Sequence, residues 1–194
     1  MDKTVTLKDG TAVRIRALTR DDLDQSLAFF RALPEEDRHY LRGDVTQREV
    51  VERRIQDMEA GRVIRLAAWD DDHIVADGAL ELAGHQWTAH VGELRLIVAR
   101  AYQRRGLGML MARELYDQAA KHKVEQVMVA MMRPQVGARN IFHKLGFREE
   151  IVVPQHVKDR AGHAQDLIVM RCDLEALWRE IESAFSLADW QRTR

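Results

Sequence analysis

The chain has 194 residues, a formal net charge of −1, 46% hydrophobic and 31% charged residues, which suits one ordinary globular core. Lys and Arg are dispersed among Asp and Glu, so no basic field points to nucleic acid, and no run approaches the roughly 20 apolar residues of a membrane span. Cys172 is the only cysteine and MDKTVTLKDG carries no apolar signal core, so a soluble, cytoplasmic protein is expected.

"TAVRIRALT" (11 to 19) sets Val13, Ile15 and Leu18 among arginines, which predicts a half-buried strand. "TRDDLDQSLAFFRAL" follows as a helix, with Thr19 as N-cap and Asp21, Asp22 and Asp24 in its first turn, where acids favour the helix dipole. A second helix is expected over 46 to 60, ended by Gly61. "RVIRLAAWD" and "HIVADGALEL" flank Asp70-Asp71-Asp72 and read as a hairpin. "HVGELRLIVA" is a further strand, followed by a helix over 107 to 122 with apolar residues at 107, 110, 111, 115 and 119.

"VEQVMVAM" (124 to 131) predicts a central strand. "RPQVGARNIFHKLGF" predicts a helix with Pro134 near its start and Gly146 as its C-cap. Two strands, "FREEIVVPQHVKD" and "HAQDLIVMRCDL", and a terminal helix complete the order β-α-α-β-β-β-α-β-α-β-β-α. This is a mixed α/β chain with one β-α-β unit. Residues 1–173 read as one domain and 174–194 as a helical appendage. Its Trp178, Phe185 and Trp190 pack on the sheet or contribute to a homodimer contact.

The β-α-β unit turns at "YQRRGLG" (102 to 108). A strand entering a helix through glycines leaves the first helical N–H groups unpaired at the positive end of the dipole, which is an anion site. Arg104 and Arg105 add donors suited to phosphate. The dinucleotide fingerprint fails, because its third glycine falls on Met111. A Walker loop fails too, because the chain contains no Gly-Lys.

What remains is Gln-x-x-Gly-x-Gly. "IVARAYQRRGLGMLM" resembles the acyl-CoA-binding motif of the GCN5-related N-acetyltransferase (GNAT) superfamily, and "VMVAMMRPQVGARNIFHKLGF" resembles the strand and helix that follow it there. The resemblance covers roughly residues 11 to 173. "LKDGTAVRIRAL" and "FFRALPEEDRHYLR" are similar, more loosely, to domains that modify protein lysines.

The resemblance implies a mostly antiparallel sheet with a central splayed strand pair, a bulge at the splay, and flanking helices. It implies acetyl-CoA as cosubstrate, with no metal, and an amine acceptor on a small molecule or a protein lysine. The cofactor would lie on Gln103, Arg104, Arg105, Gly106, Leu107, Gly108 and Met109. Its pantetheine would pair with the strand at Leu96, Ile97 and Val98. Gln135 stands where relatives often have an asparagine that contacts the cofactor, and Phe142 where many have a tyrosine that protonates the departing thiolate. His143 and Tyr102 are weaker substitutes for that acid.

Acetyl transfer needs a neutral amine, and a lysine is neutral at pH 7 only about one part in 2,500, roughly 4.6 kcal/mol from readiness. A base therefore helps. Glu93 and Arg95 alternate with Leu94 and Leu96, so both leave one face of the strand entering the turn. A glutamate near this place is the base in the lysine-acetylating branch, so Glu93 is the candidate, with Glu81 and His90 behind it. A solvated strand carboxylate or an ion pair with Arg95 is the competing reading. Glu149 and Glu150 are a solvated strand start or the lining of an acceptor cleft. The eight histidines show no metal-ligand spacing. The rival to an enzyme is a CoA-binding sensor or interaction module, favoured by Phe142.

Overall fold

Two β-rich segments joined by Asp9-Gly10 open the chain. In the computed structural model, which describes residues 2–82, 84 and 86–176, they form a hairpin of β1 (Asp2–Thr6) and β2 (Ala12–Ala17). Apolar alternation predicts only the second, so β1 corrects the sequence reading. Its signal is the Asp-Gly pair between β-branched runs, and Gly10 has the positive φ (+90°) such a turn uses.

The remaining strands are β3 (Val63–Asp70), β4 (His73–Leu82), β5 (Val91–Val98), β6 (Gln126–Met132), β7 (Arg148–Lys158) and β8 (Ala164–Asp173). They form one sheet in the order β1-β2-β3-β4-β5-β6-β8-β7, in which β5–β6 is the single parallel pair. Helices α1 (Leu23–Ala32), α2 (Glu35–Arg38) and α3 (Arg48–Glu59) precede β3. Helix α4 (Leu107–Lys121) crosses from β5 to β6, and α5 (Val136–Lys144) follows β6. The short α2 is an addition to the expected order, and α3 starts two residues later than predicted.

The strand alternation divides the core in two. Leu66, Ala68, Leu80 and Leu94 face α4, whose Leu107, Met111, Leu115 and Ala119 are fully buried against them. A Cβ at Gly78 would stand 2.9 Å from Leu115 Cδ1, so this glycine lets helix and strand approach closely. On the other face Ala67, Trp69 and Ile74 pack with Leu27, Phe30, Val51 and Ile55 from α1 and α3. Cys172 lies buried in the first core. Pro154 sits inside β7, where the chain tolerates it because β7 is an edge strand whose register breaks between Val153 and Val157.

Thr19 starts a 3-10 turn (Arg20–Asp22) that leads into α1, and its N–H and hydroxyl both donate to Asp22 Oδ2, at 2.8 and 2.9 Å. Arg16 donates twice to the same carboxylate at 2.7 Å and lies 4.1 Å over the Trp69 ring. Burial pushes the Asp22 carboxyl up, but the Arg16 and Thr19 hydrogen bonds outweigh it and hold the group below its ordinary value near 3.8. A depressed folded pKa stabilises above the unfolded value and loses that effect as pH falls through the folded one. Asp22→Asn is therefore expected to cost about 2 kcal/mol at pH 7. Urea midpoints measured from pH 7 to 2 should show the difference shrinking below about pH 4.

Leu174–Ala176 begin a helical turn. The rest of the expected terminal helix, with Trp178, Phe185 and Trp190, lies outside the described residues. Among the described residues no helix is long and apolar enough to cross a membrane.

Candidate active site

Strands β5 and β6 part in the middle of the sheet. They pair only from Val91↔Gln126 to Glu93↔Met128, whereas β5 keeps an unbroken register on β4 from Leu82↔Gly92 to Ala76↔Val98. The bulge expected in β5 is thus missing from its register on β4, and the departure lies wholly on the β6 side. Because Ala99 N–H donates to Val75, alternation turns the backbone groups of Leu94, Leu96 and Val98 toward the opening and those of Ile97 toward β4. The split therefore offers a sheet edge at Leu96 and Val98, the kind of edge an extended ligand can pair with. Ile97 offers its side chain to the opposite core.

An amide side chain caps the end of each strand at the mouth of this split. Gln103 Nε2 donates to the Val98 carbonyl at 2.9 Å, and Gln135 Oε1 accepts the Met132 N–H at 2.8 Å. Gln135 is thus held at the end of β6 as α5 begins.

The chain then runs through the glycine turn. Arg104 (φ 60°) and Gly106 (φ 92°) both have left-handed backbones, which turn the chain sharply into α4. None of the N–H groups from Arg104 to Met109 finds an acceptor among the described residues, so the helix presents its unpaired donors together. A Cβ at Gly108 would meet Ile141, Leu96 and Val98 only at ordinary distances of 3.7 to 3.9 Å. The protein itself therefore gives no steric reason for glycine there, and the bare backbone leaves room for a ligand to approach. Donors, dipole and open backbone fit a diphosphate. Arg105, expected to face that phosphate, bonds instead to Asp9 at 2.7 Å and lies 5.5 Å over the Tyr102 ring. Arg104 is exposed. Leu107 is buried under the turn, and Met109 packs at the edge of the core.

Glu93 stands at the vertex, the last β5 residue paired with β6. Its side chain leaves the face covered by α1 and α3, is 21% exposed, and accepts from both terminal nitrogens of the Arg42 guanidinium, one of them at 3.2 Å. Arg95 Nε lies 3.9 Å away and Arg95 also bonds Glu81 at 2.8 Å. Burial, with Arg42 beside it, pushes Arg95 below its ordinary value. Further along the same face Asp77 Oδ1 accepts from Arg65 at 2.7 Å and Arg54 at 3.0 Å, and burial lowers Arg54 to about 10. The sequence reading finds Glu93 and Arg95 from strand alternation and names Glu81 as a weaker candidate base. It misses Arg42, because nothing local marks a loop arginine that arrives from 51 positions away.

The other candidates are placed as follows. Phe142 is 6% exposed, with its ring edge-on to Phe147 at 5.1 Å in the core. The Tyr102 hydroxyl donates to Asp70, a bond that pushes the phenol up from its ordinary value. His143 is exposed on α5. His90 accepts the Glu125 and Gln126 amides through its backbone at the closed end of the strand pair. The side chains of Glu149 and Glu150 lie outside those described. Among the described residues no three metal-ligating side chains come together.

Residues 14–147 match the family model described as "Acetyltransferase (GNAT) family". No curated protein matches the chain. Among solved structures, the ribosomal-protein-S5-alanine acetyltransferase of Vibrio fischeri is 13% identical over 89% of this chain and 97% of its own, with a TM-score of 0.74. The GNAT domain of S. lividans PAT is 17% identical over 89% and 96%, with a TM-score of 0.72. The protein yncA of Salmonella typhimurium, solved with its cofactor acetyl-CoA, is 17% identical over 84% and 94%, also at 0.72. At these identities the likeness is one of fold.

Proposed function

Because the chain belongs to the acetyltransferase (GNAT) family, as an N-acetyltransferase with acetyl-CoA as cosubstrate, we propose that it transfers the acetyl group directly to a primary amine in a ternary complex. The amine belongs to a small molecule or to a protein lysine. The observation that carries this reading is the split itself. A free β5 edge leads into a turn of unpartnered amides, and a carboxylate stands where the strands part. In the proposed complex the turn holds the diphosphate, and the edge at Leu96 and Val98 aligns the pantetheine. Glu93, directly or through water, takes the ammonium proton. The amine nitrogen then attacks the thioester carbonyl, the C–N bond forms, the C–S bond breaks to release the thiolate, and the surplus proton of the acylated nitrogen passes to that thiolate, directly or through water. One solved neighbour is named for acetylating a ribosomal protein's alanine, which keeps a protein amine among the acceptors to test. We assign catalysis to residues 1–173, in the cytoplasm, with 174–194 as an appendage.

Phe142 favours a second reading, a CoA-binding module that has lost turnover, since its buried ring has no proton to give. A CoA-like thiol, with a reference pKa of about 8.5, leaves without obligatory protonation near pH 8, so the enzyme reading stands without that acid. Thiol release from acetyl-CoA against a panel of amines and lysine peptides decides between them: turnover with any acceptor supports the enzyme, and binding without turnover on all of them supports the module. Phe142→Tyr is expected to leave kcat within about tenfold. It should also lower stability by about 1–2 kcal/mol, because its hydroxyl enters the packed ring cluster.

A further inference from the structure

We infer, building on the reading that the glycine turn holds the cosubstrate's phosphates, that Lys8 is a further phosphate-binding residue of that turn. The family model begins at Arg14, so the hairpin loop carrying Lys8 lies outside the matched residues. That loop is nevertheless built into the turn. Lys8 N–H donates to the Arg105 carbonyl at 3.0 Å. Its side chain runs along Gly106, with Cγ, Cε and Cδ at 3.6, 3.7 and 3.9 Å from where a Cβ would stand. The ammonium is one bond beyond Cε, on the side chain that covers Gly106. The hairpin is also anchored to the same unit by two ion pairs, Asp9 with Arg105 at 2.7 Å and Lys3 with the buried Glu114 of α4.

With Arg105 engaged, Lys8 is the cation packed on Gly106 that stays available, alongside the exposed Arg104 of the turn itself. Arg105 is held by Asp9 and turned over Tyr102. Lys8 has no acidic partner among the described residues. An unpaired ammonium at the rim of a donor-lined turn complements a phosphate as a point charge, where an arginine would act as a fork. If the lysine stem served only to cover Gly106, its charge would be without consequence, and a variant can separate the two roles.

Lys8→Met keeps the stem and removes the charge. Titration calorimetry of the full chain with CoA and with dephospho-CoA, at low and high salt, is the test. Lys8→Met is expected to raise the Kd for CoA about fivefold at low salt and to flatten its salt dependence, with the thermal midpoint held. Lys8→Arg is expected to restore affinity. A loss shared by dephospho-CoA assigns the contact to the diphosphate, and a loss confined to CoA assigns it to the 3′-phosphate. Wild-type affinity and salt dependence in Lys8→Met would overturn the role of Lys8 and leave the turn assignment standing. Failure of the unmodified chain to bind CoA would overturn the turn assignment itself.

Discussion

Glu93→Gln is expected to lower kcat by roughly a hundredfold or more, the loss typical of a removed general base. The amide keeps the size of the side chain and its place where β5 and β6 part, so packing changes little. What it loses is the basicity of the carboxylate proposed to take the ammonium proton. Glu93 is also the partner of Arg42, so a lower rate by itself would not separate catalysis from scaffolding. Arg42→Ala supplies the control, because it breaks the same ion pair while leaving the carboxylate. If Glu93 is the base, Arg42→Ala retains the rising limb of the kcat–pH profile and Glu93→Gln distorts it. A folded Glu93→Gln protein with wild-type kcat and an unchanged profile would remove Glu93 from the mechanism.

Gly108→Asp should raise the Kd for CoA by roughly a hundredfold, because it places a negative charge and a side chain where we propose that the diphosphate meets the helix N-terminus. The substitution is a clean probe of the ligand. A Cβ at Gly108 meets nothing closer than 3.7 Å, so the fold accommodates it. Gly106→Val is also expected to abolish tight binding, through a different cause. Gly106 has φ 92°, a conformation that strains any branched side chain, so the turn itself deforms. Calorimetry on both variants, alongside their thermal midpoints, separates the two effects. Unaltered CoA affinity in a folded Gly108→Asp protein would mean that the phosphates lie elsewhere.

The sequence by itself determined the local elements and the turn. Apolar repeats at three and four residues mark α4, β-branched runs mark β3 to β6, and the glycines at the start of α4 mark the turn, proposed as an anion site. Each of these signals is written in neighbouring residues, because capping, backbone freedom and periodicity act over a few positions. Strand β1 was missed by apolar alternation, although Asp9-Gly10 and the β-branched residues before it carry its signal. Only the tertiary structure decided how far β5 and β6 stay paired, because register depends on what packs on both faces of two distant strands. The charges around the site were decided there as well. Arg42 reaches Glu93 from 51 residues away, Asp9 draws off Arg105, and Gln103 and Gln135 cap the two strand ends. A charge–charge contact depends on distance in space, which a long side chain on a loop does not encode in its own sequence neighbourhood.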